Sequence, residues 1–222
     1  MRIRKRFRRR LNKSCNLTKG GRELTPGAYL KEHTAAAHVA TERLLLGDDG
    51  ALRAGRLTLD RYQRLITTTA KVWAAAREAF AEFPHYPEYQ AIINDLVAAA
   101  ARDEALLASK FVPDLRLGPL PQTRWPQFPA IADSATALGS MYVLLGSTLG
   151  GKMIARVLGE SPELQQLPRY YFYEACSAVP PTTWPDFQRA LTAAITSEAD
   201  LLRCGEQALA TFALYSSVYP SK

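Results

Sequence analysis

The chain has 222 residues, 47% hydrophobic and 22% charged, with three cysteines and a formal net charge of +7. A chain of this length buries a core without staples, and Cys15, Cys176 and Cys204 stand at no metal-ligand spacing, which excludes a disulfide framework or zinc site and suits a reducing cytoplasm. The basic excess would suggest nucleic acid, but residues 1–22 carry ten Lys or Arg and no acid, while the rest of the chain holds 18 bases against 21 acids.

Residues 1–24 therefore read as a basic, unstructured arm ahead of one helical domain over 25–222. MRIRKRFRRR is not followed by an apolar stretch, so no signal peptide is expected. Thr25-Pro26 opens a first helix, by a capping residue and a proline at the first helical position, that runs to Gly47. Thr58 opens a second, with Tyr62, Leu65, Ile66, Thr69, Trp73, Ala76 and Phe80 at three-and-four spacing, and Pro84 breaks it. A third, alanine-rich helix spans about 87–111. Five prolines mark 112–130 as a loop.

A fourth helix is expected over 134–158. Its first 18 residues, Ser134 to Gly151, carry no charge and just reach membrane-spanning length, yet they include five Ser or Thr residues and four glycines. That composition suits a helix buried against close neighbours, not a span. RYYFYEAC, bounded by prolines, reads as a short helix, and Thr182 to Tyr219 as two more. No period-two alternation of strand length occurs, so the expected architecture is an all-α, single-domain bundle of six to eight helices.

Candidate chemistry is sparse. His85 lies in the proline-flanked loop FPHYP. His33 and His38 are five apart on the first helix, about 140° around its axis, so they cannot chelate one metal from one face. His38 has Glu42 one turn later, where a carboxylate can accept a hydrogen bond from imidazole and orient it as a ligand. Lys31 is two turns earlier on the same face, suited to an anionic group. A plain surface His–Glu pair reads the same way. The second constellation is Gly146-Ser147-Thr148-Leu149-Gly150-Gly151, with Gly139 before it. Helical glycines cost about 1 kcal/mol each relative to alanine, which implies close approach of something to the backbone. That something is either a flat ligand or another helix. No phosphate loop, GxSxG, HExxH or di-iron ExxH pair is present.

One histidine facing a flat, backbone-lined wall is what a haem requires, and here the residues resemble a known family. LKEHTAAAHVATE (Leu30–Glu42) is similar to the proximal helix of bacterial biliverdin-producing haem oxygenases, and ALGSMYVLLGSTLGGKMIARVLG (Ala137–Gly159) to their glycine-rich distal helix. RYYFY, TTWPDFQRAL and LATFALY follow in the family's order, so the resemblance covers about residues 24–219. It implies haem held between a proximal and a distal helix. His38 would be the iron ligand and Glu42 its hydrogen-bond partner. Lys31 and Arg189 would make the propionate contacts, and Gly146, Gly150 and Gly151 the wall against the ring. Tyr142 and Phe212 would be pocket aromatics or core. His33 has no role in this pattern and is expected to face solvent.

Three departures stand out. Ser147 occupies the place of an aspartate in animal members, Leu145 that of a glutamate in YVLEGS, and the glycine after the aromatic run is missing from FYEACS. The activity implied is oxidative cleavage of haem, which is both cofactor and substrate, to biliverdin, carbon monoxide and ferrous iron. It consumes O2 and electrons from an external reductase or ferredoxin. A non-catalytic haem-binding protein of the same fold is the alternative; neither nucleic acid nor a membrane is an expected partner.

Overall fold

The structure is a computed structural model that describes residues 17–19, 22–47, 56–83, 85–111 and 127–219. Most of the basic arm, most of the proline-rich loop, and Pro84 lie outside them. The described residues form nine helices: α1 (Pro26–His33), α2 (Ala35–Leu46), α3 (Leu59–Ala81), α4 (Pro87–Phe111), α5 (Ser134–Leu149), α6 (Gly151–Glu160), α7 (Tyr171–Ala178), α8 (Thr183–Ala194) and α9 (Glu198–Val218). Ahead of them, β1 (Leu17–Lys19) pairs antiparallel with β2 (Arg22–Leu24), Leu17 opposite Leu24. Both short strands lie within the segment read as the basic arm. Three-residue strands are too short to show alternation, so no periodicity marks them.

Two helices expected to be continuous are each broken once, which raises the count to nine. The first breaks at Thr34, whose ψ of 1° leaves the helical range while its hydroxyl donates to Leu30 O at 2.8 Å. A threonine hydroxyl that back-bonds within a helix commonly bends it. The second breaks at Gly150, between α5 and α6. The capping signals act as read: Thr25 accepts from Ala28 N and Thr58 from Arg61 N. Asp133 opens α5 with a capping box closed by Thr136.

The core runs through the middle of the bundle, where Trp73, Tyr62, Phe80 and Phe187 are its largest fully buried side chains. Helix α9 is the central post. It packs most extensively on α5 and also carries α1, α2 and α3. The α5–α9 crossing is close because Gly139 lies against the Cys204 carbonyl, where a Cβ would come within 2.3 Å of the oxygen. A buried polar seam fixes its register: Gln207 donates to Ser140 Oγ at 3.0 Å and to Pro129 O at 3.1 Å. Among the described residues, no helix is long and apolar enough to cross a membrane.

Candidate functional site

Helix α2 is held from below by α3. The Arg61 side chain donates to the carbonyls of Arg43, Leu44 and Leu45, each at 3.3 Å, and so satisfies the open C-terminal end of α2. Gly47 ends the helix with φ of 98°, a conformation glycine adopts without strain. This clamp leaves the other side of α2 open. His38, Val39 and Glu42 are exposed there, and Val39 retains 44% of its surface.

The His38 ring meets Phe212 of α9 edge to face, with centroids 5.9 Å apart. Phe212 is itself buried, so it is at once core and a wall beside His38. Among the described residues no hydrogen bond joins His38 to Glu42. The expected i+4 bond is absent because the imidazole turns toward Phe212 instead of along its own helix. Lys31 is exposed on α1, on the far side of the Thr34 break from His38.

His33 departs from expectation. It is stacked on Tyr29 at 5.0 Å and packs against α9 at Gly205, where a Cβ would sit 3.0 Å from the imidazole. Its Nε2 is buried without a hydrogen-bond partner and 3.7 Å from Glu206. A separation of 140° holds only around one straight helix axis. The bend at Thr34 re-aims α2, so both histidines approach α9, His33 at Gly205 and His38 two turns further on at Phe212. Gly205, which admits the Tyr29–His33 pair, was not noticed in the sequence.

On α5 the glycine cluster divides between the two readings left open above. Gly151 is buried against α7, where an added Cβ would lie 2.4 Å from Cys176 Cβ, and Gly139 serves the α9 crossing. These two glycines are required by helix packing. Gly146 and Gly150 face elsewhere. A Cβ on Gly146 would meet only Trp184 at 3.8 Å, and one on Gly150 only Ile154 at 3.6 Å. Leu149 and Met153, on the same stripe, are 59% and 53% exposed. The result is an open strip of backbone and apolar side chain, one helical repeat apart (146, 149, 150, 153), of the kind that accepts a flat apolar ligand.

Two side-chain contacts set this strip beside α2. Tyr142, one turn before Gly146, reaches Thr34 at the head of α2, and its ring leans on Trp184 at 5.8 Å. Ser147 and Trp73 approach the Tyr215 phenol on α9, one turn beyond Phe212. His38 through Phe212 and Ser147 through Tyr215 thus meet α9 one turn apart. Burial pushes the Tyr215 phenol well above its usual range, so it keeps its proton. Ser147 itself is exposed and donates to Leu144 O at 2.7 Å. Leu145 is 1% exposed, and its burial accounts for an apolar residue at that position. Arg189 lies on α8, exposed and paired with Asp186 one turn earlier; α8 packs on α1 and α5. Tyr215 and Trp184 are the contributors that sequence patterning missed; Thr34 stands in the proximal-helix pattern, but its contact with Tyr142 was not expected. Among them only Tyr215 carried a signal, three residues after Phe212 in LATFALY.

Among the described residues no cluster of three His, Cys, Asp or Glu side chains could hold a bare metal ion. The donor set is a single exposed imidazole, His38, and α5 and α6 separately offer an open apolar strip. Such a set fits a planar, iron-bearing macrocycle: one axial nitrogen, backbone free of Cβ where a ring would lie, and exposed apolar side chains for it to cover.

No family model matches the chain, and no curated protein matches its sequence. Solved structures similar to it include two heme oxygenases. The heme oxygenase from Leptospira interrogans aligns with a TM-score of 0.55 at 14% identity, over 88% of this chain and 98% of the other. Heme oxygenase-1 from the cyanobacterium Synechocystis, solved in complex with heme, aligns with a TM-score of 0.56 at 15% identity, over 88% and 91%. The all-helical fold is thus that of the heme oxygenases.

Proposed function

We propose that this protein is a haem oxygenase that cleaves haem to biliverdin, carbon monoxide and ferrous iron, using O2 and electrons from an external reductase or ferredoxin. The observation that carries the reading is the split of the glycine cluster. Gly139 and Gly151 are explained by helix crossings, whereas a Cβ on Gly146 or Gly150 would meet only one side chain at an ordinary distance, and Phe212 beside His38 lies one turn along α9 from the Tyr215 that Ser147 approaches. The likeness of fold to two heme oxygenases, one solved with heme, supports it.

In this reading an imidazole nitrogen of His38 holds the iron, and the edge of Phe212 restrains the imidazole from rotating. Haem supplies the oxygen-activating iron and is itself the substrate. Gly146 and Gly150 let a flat ring lie against helix backbone. Leu149, Met153 and Val39 would lose apolar surface to it, at about 25 cal/mol for each Å² covered. Lys31 supplies a cation for a propionate; Arg189, already paired with Asp186, is the weaker candidate for a second. Glu42 is free to swing toward His38 once the imidazole is fixed by a ligand. The strip carries neither a carboxylate nor an imidazole. The hydroxyl next to it along α5 is that of Ser147, approached by the protonated Tyr215. With haem bound beside them, these hydroxyls would be weaker proton donors than a carboxylic acid or an imidazolium.

One observation favours the alternative, a protein that binds haem without cleaving it: the Ser147 hydroxyl already donates into its own helix at Leu144. A single assay separates the two. Haemin-loaded protein given ascorbate under air should lose its Soret band as verdohaem and then biliverdin absorbance grows. A stable Soret band under those conditions would leave haem binding alone, and failure to take up haemin would remove both readings.

A further inference from the structure

Outside the His38 region, α4 and α7 enclose a groove of about 500 Å³, within the size range of small-molecule sites. Its floor is apolar, built from Leu96, Ala99, Ala175 and Val179. Small side chains on both facing helices keep it open: alanines at 98, 99, 175 and 178 line it where larger residues would close it. From Ile92 to Arg102 the α4 wall rises about 15 Å.

The two ends differ in charge. At one end the Tyr171 ring carries two guanidinium groups, Arg169 at 5.4 Å and Arg102 at 6.0 Å from its centroid. Arg169 is already paired with Glu174. Arg102 has no carboxylate within ion-pair distance among the described residues, so one positive charge at that end is unspent. Asp95, two turns back along α4, also lines the groove and would repel a second anion there. Tyr171 is held in place from beneath, because Asp103 accepts the Tyr171 and Phe172 backbone N–H groups at 3.0 and 2.8 Å.

We propose that this groove binds an apolar monocarboxylate, with its carboxylate on Arg102 and Arg169 above the Tyr171 ring and its body along the alanine-lined floor. The length and narrowness suit a medium-chain fatty acid or an aromatic acid, both of which present the same chemistry. The site shares no lining residue with α2, so it stands or falls separately from the haem reading.

The test is calorimetric titration of the full-length, haem-free chain with dodecanoate. Saturable one-site binding is expected. Dodecanol, which lacks the charge, and dodecanedioate, whose second carboxylate meets Asp95, should each bind at least tenfold more weakly. Arg102→Glu and Ala178→Trp alter exposed positions, so both should fold, as melting curves would verify, and each should weaken dodecanoate at least tenfold. Titration with naphthoate then settles the body of the ligand: the tighter of naphthoate and dodecanoate assigns it as aromatic or aliphatic. Absence of saturable binding, equal affinity for dodecanol, or wild-type affinity in either variant would overturn the proposal. Retained affinity would mean that the acid lies elsewhere, the His38 region included.

Discussion

Replacing the α5–α6 glycines one at a time by alanine should separate packing glycines from ligand-facing ones in the haem-free protein. Gly150 has φ of −76° and ψ of −12°, which any residue adopts, and its Cβ would rest at an ordinary 3.6 Å from Ile154. Gly150→Ala therefore removes unfolded-state freedom without strain, a gain of about 0.4–1 kcal/mol. For a chain of this size the melting temperature should rise by about 1–4 °C. Gly151→Ala drives its Cβ to 2.4 Å from Cys176 Cβ, and α6 and α7 must part to admit it. Overpacking of that kind costs about 1–3 kcal/mol, lowering the melting temperature by about 3–10 °C. Gly139→Ala should be the worst of the three, because its obstacle at 2.3 Å is the backbone carbonyl of Cys204. With haem the order should reverse. Gly150→Val, still folded, should keep a Soret band but form little biliverdin. Thermal melts of the haem-free variants decide the first half, and a loss from Gly150→Ala as large as that from Gly151→Ala would refute the division of the cluster.

Burial raises the Asp103 carboxyl to about 6, against the opposing pull of the Phe172 and Tyr171 amides. The folded state thus binds this proton more tightly than the unfolded chain, so the stability contributed by Asp103 is complete below the ordinary carboxylate range and is lost as pH rises through 6. Urea titrations from pH 4.5 to 7 should therefore show wild type losing stability relative to Asp103→Asn as pH rises; a constant difference would contradict the assignment. His33→Ala should lower the melting temperature, since it empties the space beside Tyr29 and Gly205, but should leave the haem spectrum unchanged; a lost Soret band would make His33 the ligand. Deleting residues 1–16, one-signed in charge and poor in apolar side chains, should leave both the melting temperature and haem uptake unchanged, and a drop of several degrees would show that the arm docks.

The helices were readable because caps, prolines and three-and-four spacing agree along most of the chain. Thr25, Thr58 and Pro87 mark starts that the structure keeps. The two breaks were not readable. Thr34 looks like one more residue of an amphipathic face until its hydroxyl turns back on Leu30. Gly150 looks like any other member of a glycine run. The same limit applies to the candidate site. Composition announced that something approaches α5 closely, but a glycine in sequence does not say which side is approached. Only the Cβ distances assign Gly151 to Cys176 and leave Gly146 and Gly150 open. His33 was misplaced for a related reason: an angle computed around one straight axis fails once the axis bends. Tyr215, buried on α9 and far from Ser147 in sequence, could be joined to it only by the fold.

The most direct test is a haemin titration of wild type and His38→Ala, read by the Soret band with and without imidazole in the buffer. His38→Ala should bind haemin weakly or with a shifted band, and added imidazole should restore the wild-type spectrum by replacing the missing axial nitrogen. A His38→Ala spectrum identical to wild type, insensitive to imidazole, would contradict the placement of haem between α2 and the Gly146–Gly150 strip.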